Sequence, residues 1–334
     1  MLNVAVVGAG SWGKNLVRNF ASVDGAWLHT ICDRDRKRLD ALGPAYPDAR
    51  LSSELDEVLA DGEVEAVAIA TDADLHFEHA AAALQAGKHV YVEKPMCRTT
   101  GQARELLERV RESGLRLMVG HLLLYHPAVT KLKDVIDSGE LGTIYYMYTQ
   151  RLNLGVVRSG ENAWWSLAPH DVSVILHLFG DLPERVSAQG QCYLQEGIED
   201  VVFATLYFSD GRMAEVHTSW LDPHKMRRMT IVGSEKMVTF DDVEPAEKVK
   251  VYDKSARGNL SYNSYGEAIT LRQGDIYIPR VEMSEPLKLE CVHFVSSVTN
   301  GREPLSGAQN GLEVVRVLEA GERSIKDGGR PAEV

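Results

Sequence analysis

Two short stretches carry side chains whose types and positions could do chemistry. In "HVYVEKP", Lys94 follows an apolar run and stands between Glu93 and Pro95. A lysine at a strand end can hydrogen-bond an alcohol oxygen, stabilise a developing alkoxide, or act as a base where its surroundings lower its pKa. It can equally be a surface lysine paired with Glu93, and position alone does not choose. In "ENAWWSLAPHDVSVILHLFG", Pro169 suits the first turn of a helix, which predicts His170 and Asp171 at its N-terminal end. The helix dipole would then hold His170 neutral and able to take a proton; the alternative is a structural histidine satisfied by a loop. His177 reads as core or interface. His76, His121 and His126 read as packing or cofactor-adjacent residues. No set of His, Cys and carboxylates has ligand spacing, so no metal is expected. Acyl transfer and nucleotide hydrolysis gain no support, since neither G-x-S-x-G nor a P-loop occurs.

A phosphate cradle precedes both stretches. "VAVVGAGSWGKNL" places Gly8, Gly10 and Gly13 in G-x-G-x-x-G after a strand and at the opening of a helix. Such glycines allow a tight turn, close approach of backbone to a pyrophosphate, and close helix–strand packing. Asp33 ends the second strand, about 20 residues on, where an acid grips a ribose hydroxyl. A carboxylate there favours NAD over NADP, although Arg34, Arg36 and Arg38 follow it. The bland alternative is a glycine turn without ligand and a solvent-facing Asp33. Ser11 and Trp12 in the loop, Arg34, Thr71 and His76 after the fourth strand, and Glu93 with Lys94 complete the candidate cofactor set.

These residues need a scaffold with many strand ends on one edge. The first third of the chain alternates short β-branched runs with amphipathic segments, from "LNVAVVG" to "LRLMVG", which predicts a doubly wound parallel sheet of α/β class. After Gly120 the rhythm changes to strand candidates, with Asp210-Gly211 reading as a hairpin turn, and predicts an α+β domain with a mainly antiparallel sheet. Residues 253–283 are polar and read as loops or irregular edges. The division is residues 1–122 for the cofactor domain, 123–305 for a substrate and oligomerisation domain, and 306–334 for a C-terminal helix that could pack back on the first.

Composition sets the outer limits. The 334 residues include 48 acids and 36 bases, a net charge of −12, which argues against a nucleic-acid or anionic membrane surface. No apolar stretch approaches the roughly 20 residues that span a bilayer. Four scattered cysteines and no room for a signal peptide before "NVAVVGAG" suggest a reduced, cytoplasmic protein.

Taken together, GAGSWG, "HAAAALQAGKHVYVEKP", the following mixed-sheet domain and the histidine helix ending in Gly180 resemble the Gfo/Idh/MocA oxidoreductases over the full length. The resemblance implies an N-terminal Rossmann domain holding NAD(P) and a C-terminal domain whose open sheet supports a homo-oligomer, dimer or tetramer. It implies Lys94 as catalytic lysine and His170 as catalytic histidine. In such folds the Lys94–Pro95 bond is often cis. Many members carry an aspartate four residues before that histidine, where this chain has Ser166. That departure, with "GHLLLYHPAV", "QRLNLGVVRSGENAWWSLAPHD" and "PHKMRRMTIVGSEK", resembles members that oxidise UDP-N-acetylated sugars at C3. It implies UDP-N-acetylglucosamine, or its uronate, as substrate. The 3-keto product would feed an aminotransferase in lipid A or surface-polysaccharide synthesis. Arg151, Arg158, Arg227 and Arg228 become candidates for the diphosphate, with Asn153 and Trp165 beside His170 as further substrate candidates. The rivals are a dehydrogenase of a free sugar or inositol, and a silent NAD-sensing regulator.

Overall fold

A computed structural model describes residues 1–258 and 269–334. The N-terminal third alternates strictly: β1 (Leu2–Val7), α1 (Gly13–Phe20), β2 (Ala26–Cys32), α2 (Arg36–Leu42), β3 (Arg50–Ser52), α3 (Leu55–Ala60), β4 (Ala66–Ile69), α4 (His76–Gln85), β5 (His89–Val92), α5 (Thr100–Ser113) and β6 (Leu117–Val119). There follow α6 (Pro127–Asp137), β7 (Ile144–Leu152), α7 (Ala163–Phe179), β8 (Arg185–Gln191), β9 (Val201–Tyr207), β10 (Met213–Ser219), β11 (Met226–Gly233), β12 (Met237–Asp241), β13 (Val249–Gly258) and β14 (Ile269–Tyr277). The last elements are α8 (Pro286–Thr299), α9 (Ala308–Lys326) and β15 (Ala332–Glu333).

The chain divides into two units, Met1–Tyr125 with Ser284–Arg316, and His126–Met283 with Val317–Val334. The segment Ser284–Arg316 therefore lies with the cofactor domain, whereas the sequence division assigns most of it to the second. The reason is packing. Phe294 of α8 meets Phe20 and Tyr91 edge-on, with centroids 5.8 to 6.1 Å apart in this three-ring cluster, and Arg18 of α1 pairs with Glu285.

In the first unit the strands pair in parallel in the order β3-β2-β1-β4-β5-β6. Val4, Ala5 and Val6 in β1 and all of β4 are buried, as strands with both faces covered by helices must be. In the second unit nine strands run β14-β13-β12-β11-β7-β10-β9-β8-β15, with β7 and β10 parallel and the rest antiparallel. Burial alternates along β9 and β10: Val202, Ala204 and Val216 face the helix side, and Phe203 and Met213 face outward. Gly211, with φ at +86°, makes the turn between them.

Two sequence expectations are corrected. Part of 253–283 is not loop but the hairpin arm β13–β14. Residues 271–278 are all exposed, so the strand has no buried face and shows no apolar alternation to read. The loop expectation for 259–268 lies outside the described residues. Helix α7 starts at Ala163 rather than near Pro169, because the side chain of Asn162 caps it by accepting from the Trp165 amide at 3.0 Å. His170 is thus mid-helix, beyond the first turn where the helix dipole would hold it neutral.

Truncating Phe294 to Ala opens the three-ring cluster and should lower the unfolding free energy by about 3–5 kcal/mol, measured by urea denaturation of variant and parent.

Candidate active site

Six strands end at the carboxyl edge of the parallel sheet, and the candidate residues of the first unit lie on five of the connections that leave it. After β1, Gly8 has φ +94°, and a Cβ there would lie 2.6 Å from the carbonyl oxygen of Ala70. A Cβ on Gly13 would overlap the carbonyl of Gly8, so α1 can leave the turn only without a side chain at that point. After β2, Asp33 is buried. Its Oδ2 accepts from the Ala9 amide at 2.7 Å and from Arg38 Nη1 at 3.3 Å, and its Oδ1 accepts from the Asp35 amide at 2.8 Å. A carboxylate has about four lone-pair sites, so capacity remains for a ribose hydroxyl. Arg34 is exposed and 3.7 Å from Asp72. Ser11 is exposed as well.

After β4, Thr71 Oγ1 is 3.2 Å from His79 Nδ1. His76 is buried with one ring nitrogen 2.7 Å from the Pro95 carbonyl and the other 3.1 Å from that of Thr71. Burial lowers its pKa. The neutral ring has one N–H, so only one of these carbonyls receives a hydrogen bond. After β5, Lys94 is half-buried and its bond to Pro95 is cis. Glu93 is buried. It accepts from the Trp12 indole and, at 3.2 Å, from the Lys94 backbone amide. After β6, His121 is buried and its Nδ1 lies 2.7 Å from Asn310 Oδ1. Burial first, and the charge of Lys94 second, lower its pKa to about 4. At neutral pH its Nδ1–H donates to Asn310 and Nε2 carries a lone pair.

In the second unit His170 is half-buried on α7, and its carbonyl accepts from Ser173 Oγ at 2.9 Å. Next to it, Asp171 takes a bidentate grip from Arg151 on β7, at 2.7 and 2.9 Å, with both side chains buried. This pair fastens the helix to the sheet beside His170. Trp165 Nε1 donates to Glu322 at 2.9 Å. Asn153 is half-buried, and Arg158 is exposed, 3.3 Å from Glu161. Arg227 stands 3.2 Å from Asp242, whose carboxyl is held well below its usual range, first by the His126 side chain and then by Arg227. Arg228 pairs with Asp241 at 2.6 Å. Among the described residues His29, Asp61 and Glu63 bring ligand-type atoms together, but Arg50 already pairs with Asp61.

Residues 2–121 match the family model described as "Oxidoreductase family, NAD-binding Rossmann fold", and residues 129–239 match that of the GFO/IDH/MocA C-terminal domain. The chain belongs to the Gfo/Idh/MocA oxidoreductase family. An uncharacterized oxidoreductase of Streptococcus pneumoniae is 29% identical over 64% of this chain and 61% of its own length. The scyllo-inositol 2-dehydrogenase (NADP(+)) of Bacillus subtilis is 28% identical over 84% of the chain and 82% of its own. A UDP-N-acetylglucosamine 3-dehydrogenase of Acidithiobacillus ferrooxidans superposes with a TM-score of 0.82 at 22% identity, covering 98% of this chain and 99% of that one, which is a likeness of fold.

As a Gfo/Idh/MocA protein the chain is an NAD-dependent oxidoreductase with the Rossmann domain first and the mainly antiparallel sheet second. Its cradle fits the cofactor: backbone comes close at Gly8 and Gly13, and a Cβ on Gly10 would meet nothing nearer than Arg38 Nη1 at 3.5 Å. Sequence reasoning missed Tyr91, Asn310 and Glu290. For Glu290 there is a readable signal. Leu287, Cys291, Phe294 and Val295 form the apolar stripe of α8, and Glu290 sits within it.

Two outcomes follow. Asp33→Ala should weaken NAD at least about tenfold and move the NAD to NADP affinity ratio toward NADP, read by calorimetric titration. His121 binds its proton more weakly folded than unfolded. Stability is therefore complete above the unfolded value of 6.5 and is lost as pH falls toward about 4; the loss reaches about 3 kcal/mol. Urea unfolding at pH 7 and 4.5 should show a smaller loss for His121→Asn than for the parent.

Proposed function

We propose that the protein oxidises the C3 hydroxyl of a UDP-N-acetylated sugar, UDP-N-acetylglucosamine first, with NAD. The observation that carries the reading is Ser166 four residues before the half-buried His170, where many members of the family carry an aspartate. The stretches "GHLLLYHPAV" and "PHKMRRMTIVGSEK" support the same subgroup.

Bound NAD supplies the hydride acceptor. Lys94 donates a hydrogen bond to the substrate's C3 oxygen and stabilises the negative charge that grows there as the C3–H bond breaks. His170 accepts the hydroxyl proton at a ring nitrogen. Arg151 and Asp171 hold the backbone of α7 still around it, since a misplacement of about 1 Å can lower the rate about a hundredfold. Glu93 provides an anionic neighbour for Lys94. Arg227 and Arg158, both exposed, are the candidates for the diphosphate, with Asn153 and Trp165 near the sugar. The product is a 3-keto sugar suited to an aminotransferase in lipid A or surface-polysaccharide synthesis. The outward sheet face with Tyr146, Phe203 and Met213 is the surface we assign to a homo-oligomer. The uronate shares the pattern. The inositol dehydrogenase of Bacillus subtilis favours a second reading, a free cyclic alcohol.

A panel of UDP-N-acetylglucosamine, its uronate, free sugars and inositols, assayed by NADH absorbance, decides among these. We expect turnover of a UDP-sugar and loss of about a thousandfold or more in Lys94→Met and His170→Asn with NAD affinity kept. Oxidation of inositol alone, or wild-type turnover by either variant, would sink the assignment.

A further inference from the structure

Behind Lys94 the first unit holds two buried carboxyls joined by one hydroxyl. Tyr91 Oη lies 2.9 Å from Glu290 Oε2 and 3.2 Å from Glu93 Oε1. Glu290 is fully buried, and its Oε1 has no hydrogen-bond partner. Space around the hydroxyl is tight: a Cβ on Gly120 would come within 2.9 Å of it and 3.0 Å of the Glu93 carboxyl.

One tyrosine hydrogen cannot serve two carboxylates. If both acids were ionised, one of these contacts would set lone pair against lone pair in a dry site. An extra proton is therefore needed, and its position is decided by the donors. Glu93 has the Trp12 indole, the Lys94 amide and the nearby Lys94 charge to hold it ionised. Glu290 has only the tyrosine. Burial raises both carboxyls, and for Glu290 the charge of Glu93 adds to it. Its other titratable neighbours, Tyr125 and Cys291, offer no positive charge, and Arg18 of α1 is committed to Glu285.

We propose that Glu290 is a positioning residue for Lys94: its protonated carboxyl donates to Tyr91, Tyr91 donates to Glu93, and Glu93, kept anionic, holds the Lys94 backbone and the Trp12 indole. The chain runs from α8 through β5 to the proline turn, and every proton in it has one donor and one acceptor. It rests on the reading of Lys94 as the group that holds the alcohol. If Glu290 ionises, Tyr91 turns its hydrogen to it, Glu93 takes up a proton, and Lys94 loses its anionic neighbour.

Two arms need no substrate, so they stand apart from the choice of sugar. The folded acid keeps a proton that the unfolded chain releases above about pH 4.5, so rising pH lowers the stability of the parent. Glu290→Gln, which donates at the same place and does not titrate, should gain melting temperature over the parent increasingly from pH 5 to 8. An unchanging difference would show that Glu290 is ionised and would overturn the proposal. In the second arm, acylation of Lys94 is followed by mass spectrometry against pH. Tyr91→Phe should make Lys94 reactive at a pH lower by about one unit, while Glu290→Gln leaves it in place. With a turned-over alcohol, Glu290→Leu should lower kcat about tenfold with little change in the KM for NAD, and Glu290→Gln should restore it. If Tyr91→Phe and Glu290→Leu fold and keep the parent's Lys94 profile and kcat, the residue is only part of the core.

Discussion

The turn between β1 and α1 exists because Gly13 has no side chain, and much of the first unit depends on that contact. A Cβ at that position would occupy the space of the Gly8 carbonyl, so the helix would have to leave the sheet at another angle. With the glycine, α1 lies close enough for Leu16, Val17 and Phe20 to be buried. Phe20 then reaches Tyr91 and Phe294. The same turn aims the Ala9 amide at Asp33. One close backbone approach thus sets a binding loop, the seat of an acid, and a hydrophobic junction with a helix from near the other end of the chain.

The features that the sequence exposes are those written in local spacing. Gly8, Gly10, Gly13 and Asp33 belong to one strand-turn-helix-strand unit, and the strand ends at Lys94 and His121 follow from counting alternations. The start of the helix around His170 is masked in the sequence, because Pro169 imitates a first turn while the capping atom belongs to Asn162. Strand β14 hides because exposure on both sides removes the period of two. Periodicity also says that α8 has an apolar stripe but not which body it covers. Arg151 illustrates the limit in the site itself: its type suggested a phosphate ligand, and only the fold shows the bidentate grip on Asp171.

A net charge of −12 makes the placing of buried acids consequential. Buried Asp171 is neutralised by a guanidinium and buried Asp33 is held by amides with Arg38, while the half-buried Asp242 is held by the side chains of His126 and Arg227. Removing one partner of such a group leaves a charge in a poorly solvating interior, which costs more than the hydrogen bond itself. These acids fasten α7, the start of α6 and the loop after β2. The buried polar groups therefore concentrate where backbone must be held at a defined place, while the exposed pairs, such as Arg36 with Asp40, contribute little to stability.

The return of Ser284–Arg316 to the first unit has a consequence for synthesis on the ribosome. Met1–Tyr125 emerges with its six parallel strands complete, yet the aromatic surface of Phe20 and Tyr91 stays uncovered until Phe294 has been made. About 170 further residues must be translated before Phe294 is in place, which takes roughly 8–35 s at about 5–20 residues per second. During that interval a nascent nucleotide-binding domain presents a sticky apolar face and lacks its final helix. Chaperone engagement with the growing chain is to be sought in that window, before the last sixth of the polypeptide closes the fold that the first third began.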